Sequence, residues 1–454
     1  MQVSIVGAGY VGITTGVALG YLGHNVTLLD ADESRVDMLR RGKFPIYEPY
    51  LEEIAALAQA RLHYTANPAE AHPGADIIFI AVGTPPQADG NPNLSYLQAA
   101  ALAVGEHLGE GFTVVVNKST VPIGCGNWVE SLVREAFEKR SGARPQGRFS
   151  VASNPEFLRE GSALHDSLYP DRVVIGSDDP RALDCLYGIY RPVVEQTFPA
   201  PSLLPRPESL GAVPLITTNL ASAELIKYAA NAFLALKISF MNEIAQLAEK
   251  VGADVTQIGK GIGLDARIGT RFLQAGIGWG GSCFGKDTSA LIATAREYGL
   301  TMPIVQAARE VNYRQRDRVL EKLLGELKIL KGRTIGLLGL AFKPNTDDLR
   351  DAPALDIARR LIERGAKVRA HDPVALERAR RECAGSTIYF ADSIDLLTME
   401  ADALVLVTEW PEYRDLPWRK LAEGMRTAFI LDGRNFLERQ TLEGAGFRYV
   451  GMGR

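Results

Sequence analysis

The sequence predicts an α/β protein of two doubly wound, parallel-sheet units joined by a long central helix. Three observations predict it. A strand, a glycine turn, a helix and a second strand fill residues 1–30, a new series of strand-like runs begins near residue 333, and an unbroken helical pattern lies between them. Parallel strands covered on both faces read as continuous apolar runs, whereas helices show apolar residues at spacings of three and four. At roughly 150 residues per domain, 454 residues allow two or three domains, and a 46% hydrophobic content supplies their cores. The net charge of −4 has no long basic block behind it, so no nucleic-acid partner is expected. Apolar stretches break before about 18 residues, which predicts no membrane span. Four widely spaced cysteines suggest neither a disulfide scaffold nor a metal site. The chain opens directly into a folding motif, so no signal peptide is expected and a cytoplasmic location is.

The first strand, Val3 to Val6, leads into Gly7-Ala-Gly9-Tyr10-Val11-Gly12, then a run of small and apolar residues, then Asn25 to Asp30. In this setting the glycine pattern marks a dinucleotide site. Gly7 permits the turn, Gly9 leaves room for a pyrophosphate, and Gly12 lets the helix approach the sheet. Unpaired N–H groups of the helix start face the phosphates. Asp30 would accept hydrogen bonds from ribose hydroxyls and disfavour a 2′-phosphate, which favours NAD over NADP. Arg35 is either an adenosine-side contact or a solvated surface residue. Ala75 to Val82 and Phe112 to Asn117 read as further parallel strands, ending in Gly83-Thr84-Pro85-Pro86 and Lys118-Ser119-Thr120. Thr84, Ser119 and Thr120 at these strand ends either approach a ligand or cap the next helices. Phe149 to Ser153 continues the sheet before Asn154-Pro-Glu-Phe-Leu-Arg-Glu-Gly161.

Residues 199–214 read as a proline-rich loop. In the helix from Leu220 to Lys250, apolar residues recur at Leu225, Tyr228, Ala232, Leu236, Phe240, Ile244 and Leu247. Such a helix spans domains or forms a dimer core. Lys227 and Asn231 share one of its faces, where they address a sugar oxygen or form a polar stripe outside the core. Another helical region covers residues 287–325. The strand pattern restarts at Arg333 to Gly339, without a GxGxxG turn, and continues at 366–372, 401–408 and 428–432. Lys343, Arg350 and Arg434 at strand ends suit a nucleotide phosphate or an acidic partner. The predicted domains are thus 1–214, Rossmann-like and dinucleotide-binding; 215–325, helical; and 326–454, a second Rossmann-like unit.

Five glycines surround Cys283 in the run Gly276 to Asp287. Glycine lets backbone approach a substrate closely, and a cysteine at a helix start beside Lys286 has its thiolate favoured. This is a poor setting for a structural cysteine, so Cys283 reads as a nucleophile, unlike Cys125, Cys185 and Cys383. A thiolate with NAD points to aldehyde oxidation through a thioester, with Asp287, Glu156 and Glu160 as candidate carboxylates.

Seven segments then line up in order: Gly7-x-Gly9-x-x-Gly12, Val82–Pro86, Ser119–Pro122, Asn154–Gly161, Glu224-Leu-Ile-Lys-Tyr-Ala-Ala-Asn231, Gly280–Asp287 and Phe342–Arg350. Together they resemble the UDP-glucose/GDP-mannose dehydrogenase family along the whole chain. The resemblance implies two NAD-dependent oxidations of a sugar C6 alcohol to a carboxylate. It implies that Cys283 forms the thiohemiacetal and thioester, that Lys227, Asn231 and Asp287 hold a water and stabilise negative charge, and that Glu156 is the hydrolytic base, with Thr120 positioning water. NAD contacts would come from Gly7, Gly9, Tyr10, Val11, Gly12, Asp30, Arg35, Thr84, Pro85, Ser119, Thr120, Glu160, Lys286 and Arg350. Substrate contacts would come from Glu156, Phe157, Leu158, Arg159, Glu160, Lys227, Asn231, Arg267, Phe272, Gly280, Cys283, Phe342, Lys343 and Arg434. In the family, Arg267 can arrive from a neighbouring subunit, so a homodimer or higher homo-oligomer is expected. The stretch Gly261–Gly269 resembles the UDP-glucose branch, leaving GDP-mannose and other UDP-hexoses as alternatives. Trp279 and Cys125 depart from the family pattern, as do apparently expanded loops at 138–147 and 199–212. A two-electron dehydrogenase with an incidental Cys283, or an idle nucleotide-binding protein, are the other classes to separate.

Overall fold

The computed structural model describes residues 1–87 and 90–454. They form two compact units: Met1–Ala229 with Ser289–Glu297, and Ala230–Thr288 with Tyr298–Arg454. The first contains strands β1 (Gln2–Val6), β2 (Asn25–Leu29), β3 (Leu62–Thr65), β4 (Ile77–Ile80), β5 (Thr113–Asn117), β6 (Phe149–Ser153), β7 (Val173–Gly176) and β8 (Leu215–Thr218). Their order is β3-β2-β1-β4-β5-β6-β7-β8. All neighbours run parallel except β6 and β7. Every residue of β4 and β5 is buried, which is why both appear in the sequence as unbroken apolar runs. Strand order reverses between β1 and β4, and ligands bind outside such a point.

The second unit contains β9 (Thr334–Leu338), β10 (Lys367–His371), β11 (Tyr389–Phe390), β12 (Ala403–Leu406), β13 (Phe429–Asp432) and β14 (Arg448–Gly451), ordered β11-β10-β9-β12-β13-β14. The expected second doubly wound sheet is present, all parallel. Strand-like runs did not reveal β3, β7, β8, β11 or β14. β8 is largely exposed, β11 has two residues, and β7 is too short for periodicity to register.

The two sheets repeat one device at the end of their first strand. Gly7 (φ 101°) and Gly339 (φ 100°) turn the chain there, and their N–H groups donate to Leu29 and His371 at the ends of β2 and β10. An aspartate follows each second strand and accepts from the turn: Asp30 from the Ala8 N–H, Asp372 from those of Leu340 and Ala341. Asp372 also accepts from Val374, Ala375 and the Trp410 indole, and is fully enclosed. Asp30 has no such enclosure, so its turn remains open where the other is locked.

The long helix spans Leu220–Val251, 32 residues, and the unit boundary falls inside it. Its apolar residues do not form the single core stripe that their spacing suggests. Tyr228 and Ala232 are buried with Ala235, Met241, Ala245 and Ala248, whereas Leu225, Phe233, Phe240, Leu247 and Val251 are exposed. Alanines with Tyr228 and Met241 therefore pack inward, while Leu225, Phe233, Phe240, Leu247 and Val251 point out along one face. The expected helical region at 287–325 is two helices, Phe284–Glu297 and Pro303–Leu327. Gly299, at φ 72°, stops the first and Pro303 starts the second. No helix among the described residues is long and apolar enough to cross a membrane.

Asp372→Ala strips a buried acceptor from five donors and should cost about 3 kcal/mol or more by chemical denaturation, while Asp30→Ala should cost about 1. Equal losses would contradict the distinction drawn between the two turns.

Candidate functional site

The three glycines of the first turn have separable jobs. A Cβ at Gly12 would lie 1.9 Å from the Gly7 carbonyl oxygen, so only glycine lets the helix sit against the turn. Among the described residues, a Cβ on Gly9 would meet nothing within 4 Å beyond its own chain neighbours. The protein's own packing gives no reason for that glycine; a pyrophosphate passing over it does. The Tyr10–Tyr21 helix starts there with no side-chain cap, leaving its first N–H groups available to phosphate oxygens. The residues present thus fit a dinucleotide. Asp30 accepts from Ala8 at 2.8 Å and Asp32 at 3.0 Å, and pairs with Arg35 at 3.1 Å. Arg35 is therefore neither simply solvated nor independent of the site, because it anchors the ribose-binding candidate.

The other proposed cofactor contacts are tied into the chain. The Tyr10 hydroxyl donates to Glu48, and the Gly161 N–H lies 2.7 Å from both, joining the turn to the 154–161 segment. Burial pushes both Tyr10 and Glu48 above their ordinary ranges. Val11 packs at the edge of the core. The Thr84 hydroxyl donates to the Thr120 carbonyl, and that of Ser119 donates to the Val82 and Ile80 carbonyls. Neither caps a helix: those that follow begin at Ser95 and Cys125 without side-chain caps. The hydroxyls instead lash the two strand-end loops together, with Pro85 exposed between them.

Glu156 and Lys227 meet in this unit. Lys227 Nζ donates to Glu156 Oε1 at 3.0 Å and to its backbone carbonyl at 2.6 Å, with both side chains at 8% exposure or less. Phe157 lies beneath this pair, its ring centroid 5.4 Å from Lys227 Nζ and 3.6 Å from the Arg172 guanidinium. The backbone foreseen as a sugar contact is already engaged. The Leu158 N–H donates to Glu156, that of Arg159 to Asp166, and that of Gly161 to the Tyr10–Glu48 pair. The Arg159 side chain also binds Asp166, and Glu160 is half-buried between these anchored residues.

Three groups here were not singled out by motif. Lys118 is buried, donating to Asn154 Oδ1 at 2.8 Å and the Tyr190 hydroxyl at 3.1 Å. Burial pushes its pKa down to about 8, with Glu156 opposing and Lys227 reinforcing that fall. Asn154 completes the set by donating to the Val174 carbonyl at 2.7 Å. Glu224, one turn before Lys227, accepts from the N–H groups of Gly124 and Gly126 at the start of the Cys125–Ser141 helix. Burial raises it to about 7 against those hydrogen bonds. The signals for these groups were a lysine at a strand end, an asparagine before Pro-Glu, and an acid inside an apolar helix.

The second unit holds the cysteine. Cys283 directly precedes the Phe284–Glu297 helix and its carbonyl accepts the first helical bond, from Asp287. A helix start favours a thiolate. By contrast, burial pushes Cys125 up to about 12 and Cys185 up to about 11, and raises Cys383. Asp287, 1% exposed, accepts from Asn231 at 2.5 Å and from Lys286 at 2.6 Å. Lys286 thus pairs with Asp287, its neighbour in sequence.

Two of the glycines around Cys283 are also required by the chain's own packing. A Cβ at Gly280 would fall 2.3 Å from the Asp351 carbonyl oxygen, and one at Gly281 would enter the Phe342 ring. At these two positions glycine lets the loop pack closely on the 342–351 segment. The loop is further held by Asn312, which exchanges two hydrogen bonds with the Trp279 backbone, and by Asn242 and Gln315, which hold Gly276. The unexpected Trp279 is buried edge-on to Phe284. Arg434 donates to the carbonyls of Gly278 and Val407, so it staples the loop to the strand end. Arg350 chelates Asp348, Lys343 lies 5.5 Å from the Phe342 ring, and Phe272 (φ 65°) packs near Phe284. Arg267, highly exposed, binds Asp265 and stands apart from the rest. Among the described residues, no group of three or more His, Cys, Asp or Glu is arranged to hold a metal ion.

Three family models match the chain. The NAD binding domain of the UDP-glucose/GDP-mannose dehydrogenase family covers residues 1–194, its central domain 221–314, and its UDP binding domain 336–439. The chain is 43% identical over 455 residues to the UDP-glucose 6-dehydrogenase TuaD of Bacillus subtilis, covering 100% of this chain and 93% of that one. It is 44% identical over 462 residues to a UDP-glucose 6-dehydrogenase of Pseudomonas aeruginosa, covering 100% and 98%. Among solved structures, a UDP-glucose dehydrogenase from the archaeon Pyrobaculum islandicum superposes with a TM-score of 0.87 at 40% identity, over 99% and 97% of the two chains.

The depressed Lys118 makes a test of the buried cluster. Between about 8 and the ordinary 10.5, the unfolded chain binds a proton at this lysine that the folded chain does not. Stability from this group therefore rises with pH across that window. Denaturation at stepped pH should show the wild type gaining on Lys118→Met from pH 8 to 10.5. A gap that is flat or closes in the other direction would contradict the burial of a strained ammonium.

Proposed function

The chain belongs to the UDP-glucose/GDP-mannose dehydrogenase family, and on that premise we propose that it oxidises the C6 alcohol of UDP-glucose to the carboxylate of UDP-glucuronate. The observation that carries the proposal is the placement of Cys283 at a helix start, one turn from the Asn231–Asp287 pair, in a chain that also holds an open dinucleotide turn. NAD bound at that turn supplies the acceptor for one hydride in each of the two oxidations.

The chain's residues divide the remaining work. Cys283 Sγ adds to the C6 aldehyde to give a thiohemiacetal, and loss of the second hydride leaves a thioester on the same sulfur. Lys227 and Asn231, one helical turn apart, donate to the C6 oxygen as negative charge develops there, an effect strongest in a site closed to water. Asp287 holds Asn231 in place and helps hold a water, and Thr120 helps to position the water that Glu156 activates. Glu156 takes a proton from the water that attacks the thioester, releasing the acid and the Cys283 thiolate. Its contact with Lys227 keeps the carboxylate beside the ammonium it serves.

The nicotinamide end would lie near Glu160 and the adenosine near Asp30 and Arg35, with Lys286 and Arg350 as further cofactor contacts. UDP-sugar contacts would come from the Phe157–Gly161 segment, Arg267, Phe272, Gly280, Phe342, Lys343 and Arg434. For several of these, binding requires an exchange of partners, because Arg350, Arg267 and Arg434 hold intramolecular bonds. The exposed Phe233, Phe240, Leu247 and Val251 stripe on the long helix supports a homodimer or higher homo-oligomer through that face. The site of action would be the cytoplasm.

A panel of nucleotide sugars scored for NADH and acid product tests this reading. UDP-glucose should yield two NADH per molecule consumed, with no free aldehyde. One NADH with released aldehyde would contradict it, and faster turnover of GDP-mannose would move the assignment to that branch. Cys283→Ser should slow formation of the acid by a factor on the order of 10³ or more while nucleotide binding persists; full turnover by that variant would remove the nucleophile assignment.

A further inference from the structure

Asn117 closes β5 at 1% exposure, and among the described residues neither its carboxamide oxygen nor its nitrogen has a hydrogen-bond partner. A buried amide left unmatched is costly, and ordered water commonly satisfies such groups. Asn117 lines a small cavity together with Thr120, Ser153, Glu224 and Lys227. The space admits about one water, and the polar side chains around it exceed the two to four partners such a water takes. Asn117, with its unmatched amide, is thus one of the residues that bound a cavity of about one water's size.

We propose that this cavity is a built water site, and that its water passes protons between Glu224 and the Lys227–Glu156 pair. The inference rests on the functional reading above, which gives that pair protons to shed. The transfer is a relay with no change of oxidation state: a proton leaves the pair for the water, while the water yields one of its own to a Glu224 oxygen. Glu224 is placed to hold it, since burial lifts its carboxyl to about 7, close to the pH at which a proton is readily both taken and returned. The groups facing Glu224 are the Gly124 and Gly126 amides, the Ser153 hydroxyl and the Cys125 thiol, with Lys227 on its own helix. The hydrogen bonds oppose the rise without abolishing it.

The first test is a high-resolution crystal structure of the full chain. An ordered water within hydrogen-bond distance of the Asn117 carboxamide and of Glu224 is expected, and a dry cavity overturns the site. The second is the pH dependence of kcat in the wild type, Glu224→Gln and Asn117→Leu. The wild-type profile should show an ionisation near pH 7 that Glu224→Gln removes. Asn117→Leu, which fills the cavity, should lower kcat by about tenfold with KM for both substrates within about twofold, the behaviour of an interaction made only in the transition state. A purely structural role lowers thermal stability but leaves the ionisation in place, and that result overturns the relay. Should UDP-glucose not be turned over at all, the functional reading fails, while the crystallographic water still decides the site.

Discussion

The buried pair of Lys227 and Glu156 sets the terms for the first unit. Removing two ions from water costs several kcal/mol each, and breaking such a pair leaves a charge that nothing repays. The chain meets that cost with two acceptors for the ammonium, the Glu156 carboxylate at 3.0 Å and the Glu156 carbonyl at 2.6 Å. Holding them there fixes the turn after β6, which in turn fixes the 154–161 segment through Asp166 and Glu48. Lys118 adds a second buried cation within electrostatic range, and its fall to about 8 reflects both burial and Lys227. A region arranged this way is ill suited to stability alone. It suits a reaction that places transient negative charge beside a preorganised cation.

The second unit reaches rigidity by other means. Its cysteine loop is clamped by backbone contacts that only glycine allows, by Asn312, Asn242 and Gln315, and by the Arg434 staple. Precise placement of one sulfur and one carboxylate follows from this, since Cys283 and Asp287 sit on adjacent turns of a helix whose entry is fixed. The two sheets show how one fold is kept open or closed. Both turn at a glycine with φ near 100° and both use an aspartate to hold the turn, but Asp372 is enclosed by five donors where Asp30 is not. The repeated fold thus carries a dinucleotide turn in one copy and a structural corner in the other.

Much of this was legible in the sequence, for identifiable reasons. The glycine turn, strands β4 and β5, the long helix and the cysteine loop all announce themselves through local pattern, and so did the second sheet. Edge strands such as β8 and β11 carry no pattern strong enough to read. Lys118 and Glu224 escaped notice because their significance lies in burial, a property of packing rather than of neighbours in sequence. The long helix reads as spanning domains or forming a dimer core. Within one chain, alanines with Tyr228 and Met241 fill its inner face, and Phe240 and Leu247 face outward. The glycines near Cys283 were correctly seen as close-contact residues, but the partner at Gly280 and Gly281 is the chain's own 342–351 segment. Pattern locates such positions; only the fold says what they touch.

The central claim is that Cys283 carries the sugar as a thioester which Glu156 helps water to cleave. Intact-mass measurement of Glu156→Gln after mixing with UDP-glucose and NAD addresses it directly. A covalent adduct of the oxidised nucleotide sugar that maps to the Cys283 peptide and decays slowly is expected. Acid formation at the wild-type rate with no adduct on that peptide would contradict it.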